Sequence, residues 1–185
     1  MKAKSAGYRS RAAYKLIGID EKFKILKTGQ MVVDLGAAPG GWTQVACEKV
    51  GQKGHVVGID LTPIDSIPGA QLLCGDFCDP QVLQQLKSLL PGQVNVVLSD
   101  MAAPSTGHPQ TDHLRIMGLA EEAFVFAVEV LAEGGSFVAK VLRGGTEKDL
   151  LLLLKKHFEK VSHFKPAASR ADSAEMFVVA TGFRR

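Results

Sequence analysis

No apolar run in these 185 residues approaches the roughly 18 needed to cross a membrane, and no signal-peptide pattern opens the chain. A membrane span and secretion are both disfavoured, so a cytoplasmic location is the expectation. Cysteine is scarce: Cys47, Cys74 and Cys78 make an odd number. No second Cys or His pair stands at metal-ligand spacing, which argues against a zinc site. They read as reduced, mostly buried thiols. Internal repeats and low-complexity tracts are also missing, which points away from solenoid architectures and disorder.

What is present is ordinary for a soluble globular domain: 46% hydrophobic and 22% charged residues. The length favours one domain spanning 1–185 with a full-sized core. The greasiest stretch, 150–154, is bracketed by Lys148, Asp149, Lys155 and Lys156, and reads as one face of a helix. Charge is unevenly spread. Residues 1–27 carry eight Lys or Arg against Asp20 and Glu21, a local excess of six within a chain of net charge +3. A second basic group runs through Lys155, Lys156, Lys160, Lys165 and Arg170 to Arg184 and Arg185. Clustered cations on a near-neutral body suggest a polyanion partner, with the N-terminal helical segment as the contact.

Strand patterns fall at 31–35, 55–60, 70–74, 94–99, 135–140, 160–164 and 175–182, with helical patterns between them near 9–24, 41–50, 79–90, 112–131 and 146–158. Strands such as 94–98 are nearly all apolar, which implies a mostly parallel seven-stranded α/β sheet covered by helices on both faces. Gly51, Gly54, Pro91-Gly92 and Gly134-Gly135 mark turns between a helix and the next strand.

In such sheets ligands bind beyond the carboxyl ends of the strands. The segment 32–42 (VVDLGAAPGGW) is a strand reaching Asp34, a Gly-rich turn and a helix start near Gly41, where backbone can approach a ligand closely. Asp60 follows Gly36 by 24 residues, a spacing that suits ribose hydroxyls, and Asp76 can accept from an adenine amino group. The turn reads G-x-x-x-G-G and not G-x-G-x-x-G, which counts against a dinucleotide. Trp42, the only Trp, is expected to line this pocket.

Asp100 and Lys140 close two neighbouring strands, and Glu175 opens the last. A Lys in a two-sided apolar strand is costly to bury charged and needs a partner. If the last strand runs antiparallel, Asp100, Lys140 and Glu175 meet at one sheet edge, and Lys15 on the basic helix reaches them only by folding over that edge. A Lys base with a second cation and two orienting carboxylates suits removal of a ribose 2′-hydroxyl proton during in-line attack on a methylsulfonium. The sequence S99-D100-M101-A102-A103-P104 lacks the D/N-P-P-Y/F/W pattern of exocyclic-amine methylation. His108, Asp112 and His113 could suggest a metal, but the chemistry above needs none, and they read as loop polarity.

R9-S-R-A-A-Y-K15-L, V33-D-L-G-A-A-P-G-G-W42, G75-D-F, S99-D-M, E133-G-G-S-F-V-A-K140 and S169-R-A-D-S-A-E175 cover nearly the whole chain. In this order they resemble the FtsJ/RrmJ family of ribose 2′-O-methyltransferases, bacterial type. The resemblance implies a Rossmann-like fold with the last strand antiparallel, and S-adenosylmethionine as methyl donor. It implies a Lys15-Asp100-Lys140-Glu175 tetrad with Lys140 as base, and donor contacts from Gly40, Trp42, Asp60, Asp76 and Asp100. It also implies a uridine of large-subunit (23S) ribosomal RNA as substrate, within the large ribosomal subunit, and a monomeric enzyme. Arg9 and Arg11 are then expected on RNA phosphates. Two departures stand out: only eight residues precede Arg9, where relatives carry a longer basic segment, and the loop 102–107 differs from the family's A-P-N. A mitochondrial-type ribose methyltransferase, a ribosome-assembly factor without catalysis and a nicotinamide oxidoreductase are the alternatives. The intact tetrad argues against the assembly factor, and donor titration separates the oxidoreductase.

Overall fold

Alternate residues of a strand face opposite sides of a sheet, and this chain uses both sides for core. The structure, a computed structural model, describes residues 7–102, 106–143, 147–169 and 173–185. The centre of the 102–107 loop, Arg170 and the first basic residues Lys2 and Lys4 lie outside the described residues.

The elements run α1 (Ala12–Phe23), β1 (Met31–Leu35), α2 (Gly41–Val50), β2 (His55–Asp60), β3 (Ala70–Cys74), α3 (Pro80–Ser88), β4 (Val94–Ser99), α4 (Pro109–Val130), β5 (Leu131–Leu142), α5 (Glu147–His157), β6 (Phe158–Phe164) and β7 (Glu175–Phe183). The seven strands form one sheet in the order β3-β2-β1-β4-β5-β7-β6. Pairs from β3 to β5 are parallel, and β7 is antiparallel to both β5 and β6. Val32, Val96 and Val138 face one side, where Leu16 and Ile19 of α1 and Val45 of α2 pack on them. Val33, Val97 and Phe137 face the other, against Leu86 of α3, Phe126 of α4 and Leu154 of α5. Each such side chain taken fully from water contributes about 1.5–3 kcal/mol. The 150–154 run behaves as its bracketing charges imply: Leu150 and Leu154 are buried, whereas Leu152 is 62% exposed.

Two expectations need correction. Gly134 and Gly135 do not separate α4 from β5, because the helix ends at Val130 and β5 begins at Leu131. The glycines instead sit in an irregularity where Val94 pairs with Leu131 but Val96 pairs with Ser136, and Gly134 takes φ 80°. A bulge of this kind absorbs extra residues in one strand while preserving the ladder beyond it. Cys74 and Cys78 are exposed, not buried, since one ends the edge strand β3 and the other lies in the loop before α3.

Arg184 and Arg185, both exposed, also make hydrogen bonds within the fold. With no loop after α4 or α5, the last carbonyls of both helices need donors. Arg184 donates from Nη2 to the carbonyls of Lys155 and Phe158 at 3.0 and 3.2 Å. Arg185 does the same for Leu131 at 2.8 Å and Glu129 at 3.4 Å. The C-terminal part of the second basic group therefore caps helices.

Candidate active site

The turn after β1 carries the first cavity. Gly36 takes φ 76°, and a Cβ there would lie 2.9 Å from the Met101 Cα, so only glycine lets the turn pass the end of β4. A cavity of about 220 Å³ opens beside it, lined by Gly36, Ala38, Asp60, Asp76, Cys78 and Asp100 among others. Asp60 stitches the two loops that flank it: Oδ2 accepts from the Ala38 N–H and Oδ1 from the Thr62 N–H, both at 2.9 Å. Asp76 Oδ1 accepts from the Cys78 N–H at 2.9 Å. Each carboxylate oxygen has a second lone pair, so both acids keep acceptor capacity toward the cavity.

A smaller cavity adjoins, lined by Ser10, Ala12, the turn 36–39, Gly41, Trp42 and Asp100. Asp100 and Gly36 belong to both, and so join them into one cleft. Trp42 lines the smaller cavity, as expected, and is otherwise packed in the fold. It is 3% exposed, its Nε1 donates to the Ala12 carbonyl at 2.7 Å, and its ring lies 5.4 Å from that of Phe177. It thus also packs in the core between α1, α2 and β7. Gly40 lines neither cavity; its φ of 123° turns its Cβ position toward Ile67 and Arg9.

The tetrad converges as the antiparallel β7 requires. Lys140, 8% exposed, lies 3.4 Å from Asp100 Oδ1 and 3.8 Å from Glu175 Oε1. Asp100 Oδ1 is buried and faces Lys140 as its ion-pair partner. Burial pushes the Asp100 carboxyl above its ordinary range, an effect opposed by Lys140 and Lys15 and reinforced by Glu175. Lys15 thus acts on the same charge, and shares with Arg11, Ser169, Ser173 and Glu175 the wall of an open groove of about 540 Å³.

Sequence reasoning missed what holds Glu175. Lys165 Nζ donates to the carbonyls of Ser173 and Glu175, the latter at 3.2 Å. The Arg143 side chain also donates to the Ser173 carbonyl, at 3.3 Å. No motif marks these two cations, because their partners are main-chain atoms. Asp34, on β1 just before the Gly-rich turn, is wholly buried with Oδ2 accepting from Thr43 Oγ1 at 2.7 Å. Burial pushes its carboxyl up to about 7, with Asp100 and Asp60 adding to the rise and the Thr43 hydroxyl opposing it. Asp112 accepts from the Thr106 N–H and hydroxyl at 2.9 and 2.8 Å, beside the start of α4. Among the described residues no cluster of His, Cys, Asp or Glu has the makings of a metal site.

A parallel sheet ending in an antiparallel β7, with a Gly-rich turn and acids at the ends of β2 and β3, defines a Rossmann-like methyltransferase. The chain belongs to the FtsJ-like methyltransferases, whose family model matches residues 8–183 and whose methyl donor is S-adenosylmethionine. It is 63% identical to the ribosomal RNA large subunit methyltransferase E of Paramagnetospirillum magneticum over 98% of this chain and 77% of that one. The protein of the same name from Gluconobacter oxydans is 58% identical over 98% and 67%. A ribosomal RNA methyltransferase structure from Plasmodium falciparum superposes with a TM-score of 0.84 at 32% identity, covering 95% of this chain and 98% of that chain.

Proposed function

We propose that this enzyme methylates a ribose 2′-oxygen of a uridine in large-subunit ribosomal RNA, with the large ribosomal subunit as its working substrate and the monomer as its working form. The observation that carries the reading is Lys140 held between Asp100 and Glu175, at 3.4 and 3.8 Å, where the donor cleft meets the open groove. The names of the most similar relatives support the RNA class.

The residues present fit the donor. Asp60 and Asp76 offer acceptors for ribose hydroxyls and an adenine amino group. The start of α2 has no side-chain cap and borders the smaller cavity at Gly41 and Trp42, which suits a carboxylate, and the Asp100 carboxylate, in both cavities, suits an ammonium. When bound, S-adenosylmethionine supplies an electrophilic methyl group on a sulfonium. Lys140 accepts the 2′-hydroxyl proton at Nζ. Asp100 and Glu175 fix the direction of that amine. Lys15 balances the acids and, with Arg11, faces a phosphate of the incoming strand. Alignment in such a cleft is worth roughly 7–11 kcal/mol, and general-base help a further 10²–10⁴-fold in rate.

The two ion pairs favour one other reading, in which Lys140 stays charged and only orients the 2′-oxygen. Both readings predict the same product. Labelled methyl from S-adenosylmethionine should pass to large ribosomal subunits, or to free large-subunit RNA, from cells lacking the activity. Mapping should then place it on one uridine ribose. Label on a base, or none on either RNA form, rejects the proposal.

A further inference from the structure

Arg9 stands in the basic N-terminal segment, where a phosphate contact is expected, yet its guanidinium donates to the protein's own carbonyls. Nη1 donates to the carbonyls of Asp65 at 2.5 Å and Pro39 at 3.3 Å, and Nη2 to that of Ser66 at 2.7 Å. Pro39 belongs to the turn after β1, while Asp65 and Ser66 belong to the loop after β2. These are the two loops that Asp60 joins from the cavity side through Ala38 and Thr62. Arg9 joins them a second time, through Pro39, Asp65 and Ser66.

Its own placement is fixed independently. The Arg9 N–H donates to Gln44 Oε1 at 2.8 Å, and Gln44 Nε2 donates to the Gly7 carbonyl at 3.1 Å, so α2 holds the segment. The methylene stem lies against Gly40, where a Cβ would come 3.2 Å from Arg9 Cδ and 2.7 Å from Ile67 Cδ1. The glycine of the turn thus makes room for this side chain. Loop carbonyls have no ladder partner, and a planar fork of donors can serve three at once where an ammonium cannot keep the same geometry.

We propose that Arg9 is a positioning residue for the methyl donor: it sets the spacing between the turn 36–40 and the loop 61–69, and with it the affinity of the cleft. It is not a phosphate contact. The inference rests on the donor-cleft reading above, so Asp60→Ala serves as its control.

The test uses the full chain. Affinity for S-adenosylmethionine is measured by calorimetry, with donor and RNA KM values, RNA affinity across a salt series and Tm with and without donor. Charge-assisted hydrogen bonds of this kind are worth about ten- to a hundredfold in a binding constant. Arg9→Ala should weaken donor binding by about tenfold or more, raise the donor KM and shrink the donor-induced rise in Tm. RNA KM and the salt slope should stay put, and Arg9→Lys should recover part of the donor affinity. Weaker RNA binding with a shallower salt slope, at unchanged donor affinity, overturns the proposal. So does a fall in Tm with donor affinity intact, because Arg9 would then be merely structural. If Arg9→Ala does not fold, Arg9→Lys carries the test on the same readouts. Donor affinity lost in Asp60→Ala but not in the Arg9 variants removes this inference alone, whereas no loss in either removes the donor-cleft reading as well.

Discussion

Lys140 is where the chemistry is most exposed to test at the residue scale. Lys140→Ala should abolish turnover with donor and RNA affinities near wild type. Lys140→Arg separates the two readings, because a guanidinium keeps its proton near neutral pH but preserves the charge beside Asp100 and Glu175. Loss of single-turnover methylation by roughly 10²-fold or more supports the base, and near-normal methylation supports the charged anchor. Asp34 makes a prediction about stability. Its carboxyl is raised from 3.8 to about 7 by burial, so between those values the folded chain holds a proton that the unfolded chain has released. The contribution is full below 3.8 and is lost as pH rises through about 7. Between the two, stability should fall by about 1.4 kcal/mol for each step of one in pH. Urea melts across that window should show this decline, and Asp34→Asn should flatten the dependence. An unchanged slope in the variant would assign it to other groups.

At the scale of elements, the cleft depends on a turn and a strand end passing within contact distance. Gly36→Ala would set a Cβ 2.8 Å from Met101 Cγ and 3.0 Å from its backbone nitrogen, in a left-handed conformation besides. Circular dichroism should still report the fold while calorimetry shows donor affinity down by more than tenfold, since Met101 follows Asp100 directly. The helix-to-strand junctions offer a second test. Replacing Arg184 and Arg185 with Ala removes side-chain donors to four carbonyls at the α4–β5 and α5–β6 junctions. A loss of about 1–3 kcal/mol in chemical denaturation is expected, with donor and RNA affinities unmoved. A fall in RNA affinity instead would restore these arginines to the polyanion surface.

For the whole molecule, the question is how a chain of net charge +3 holds a polyanion. Several of its cations are occupied: Arg9 on loop carbonyls, Arg184 and Arg185 on helix ends, Lys165 on Ser173 and Glu175. Arg11 and Lys15 line the open groove that Glu175 borders. RNA affinity should therefore fall steeply with salt, and Arg11→Ala should lower the log–log slope by about 0.7–0.9, whereas Arg9→Ala should not. Filter binding across a salt series reads both.

The sequence by itself determined the architecture. Apolar runs of strand length alternating with helical periods leave little choice but a sheet covered on two faces, and an apolar strand ending in glycine, proline and acids marks where a ligand can approach. The meeting of Asp100, Lys140 and Glu175 was also legible, because Asp100 follows β4, Lys140 lies two residues short of the end of β5, Glu175 opens β7, and strand direction brings them to one edge. Local patterns suffice there because hydrophobic periodicity and turn chemistry act over a few residues. Which cations are free was decided only by the tertiary structure. Arg9 and Arg11 read alike in sequence, yet one is bound by carbonyls 30 and 56 residues away while the other faces the groove. Trp42 entered the core, and Asp34 became a carboxyl buried out of solvent, for the same reason. Main-chain acceptors and burial carry no residue-type signal, so only the packed chain shows which side chain they claim.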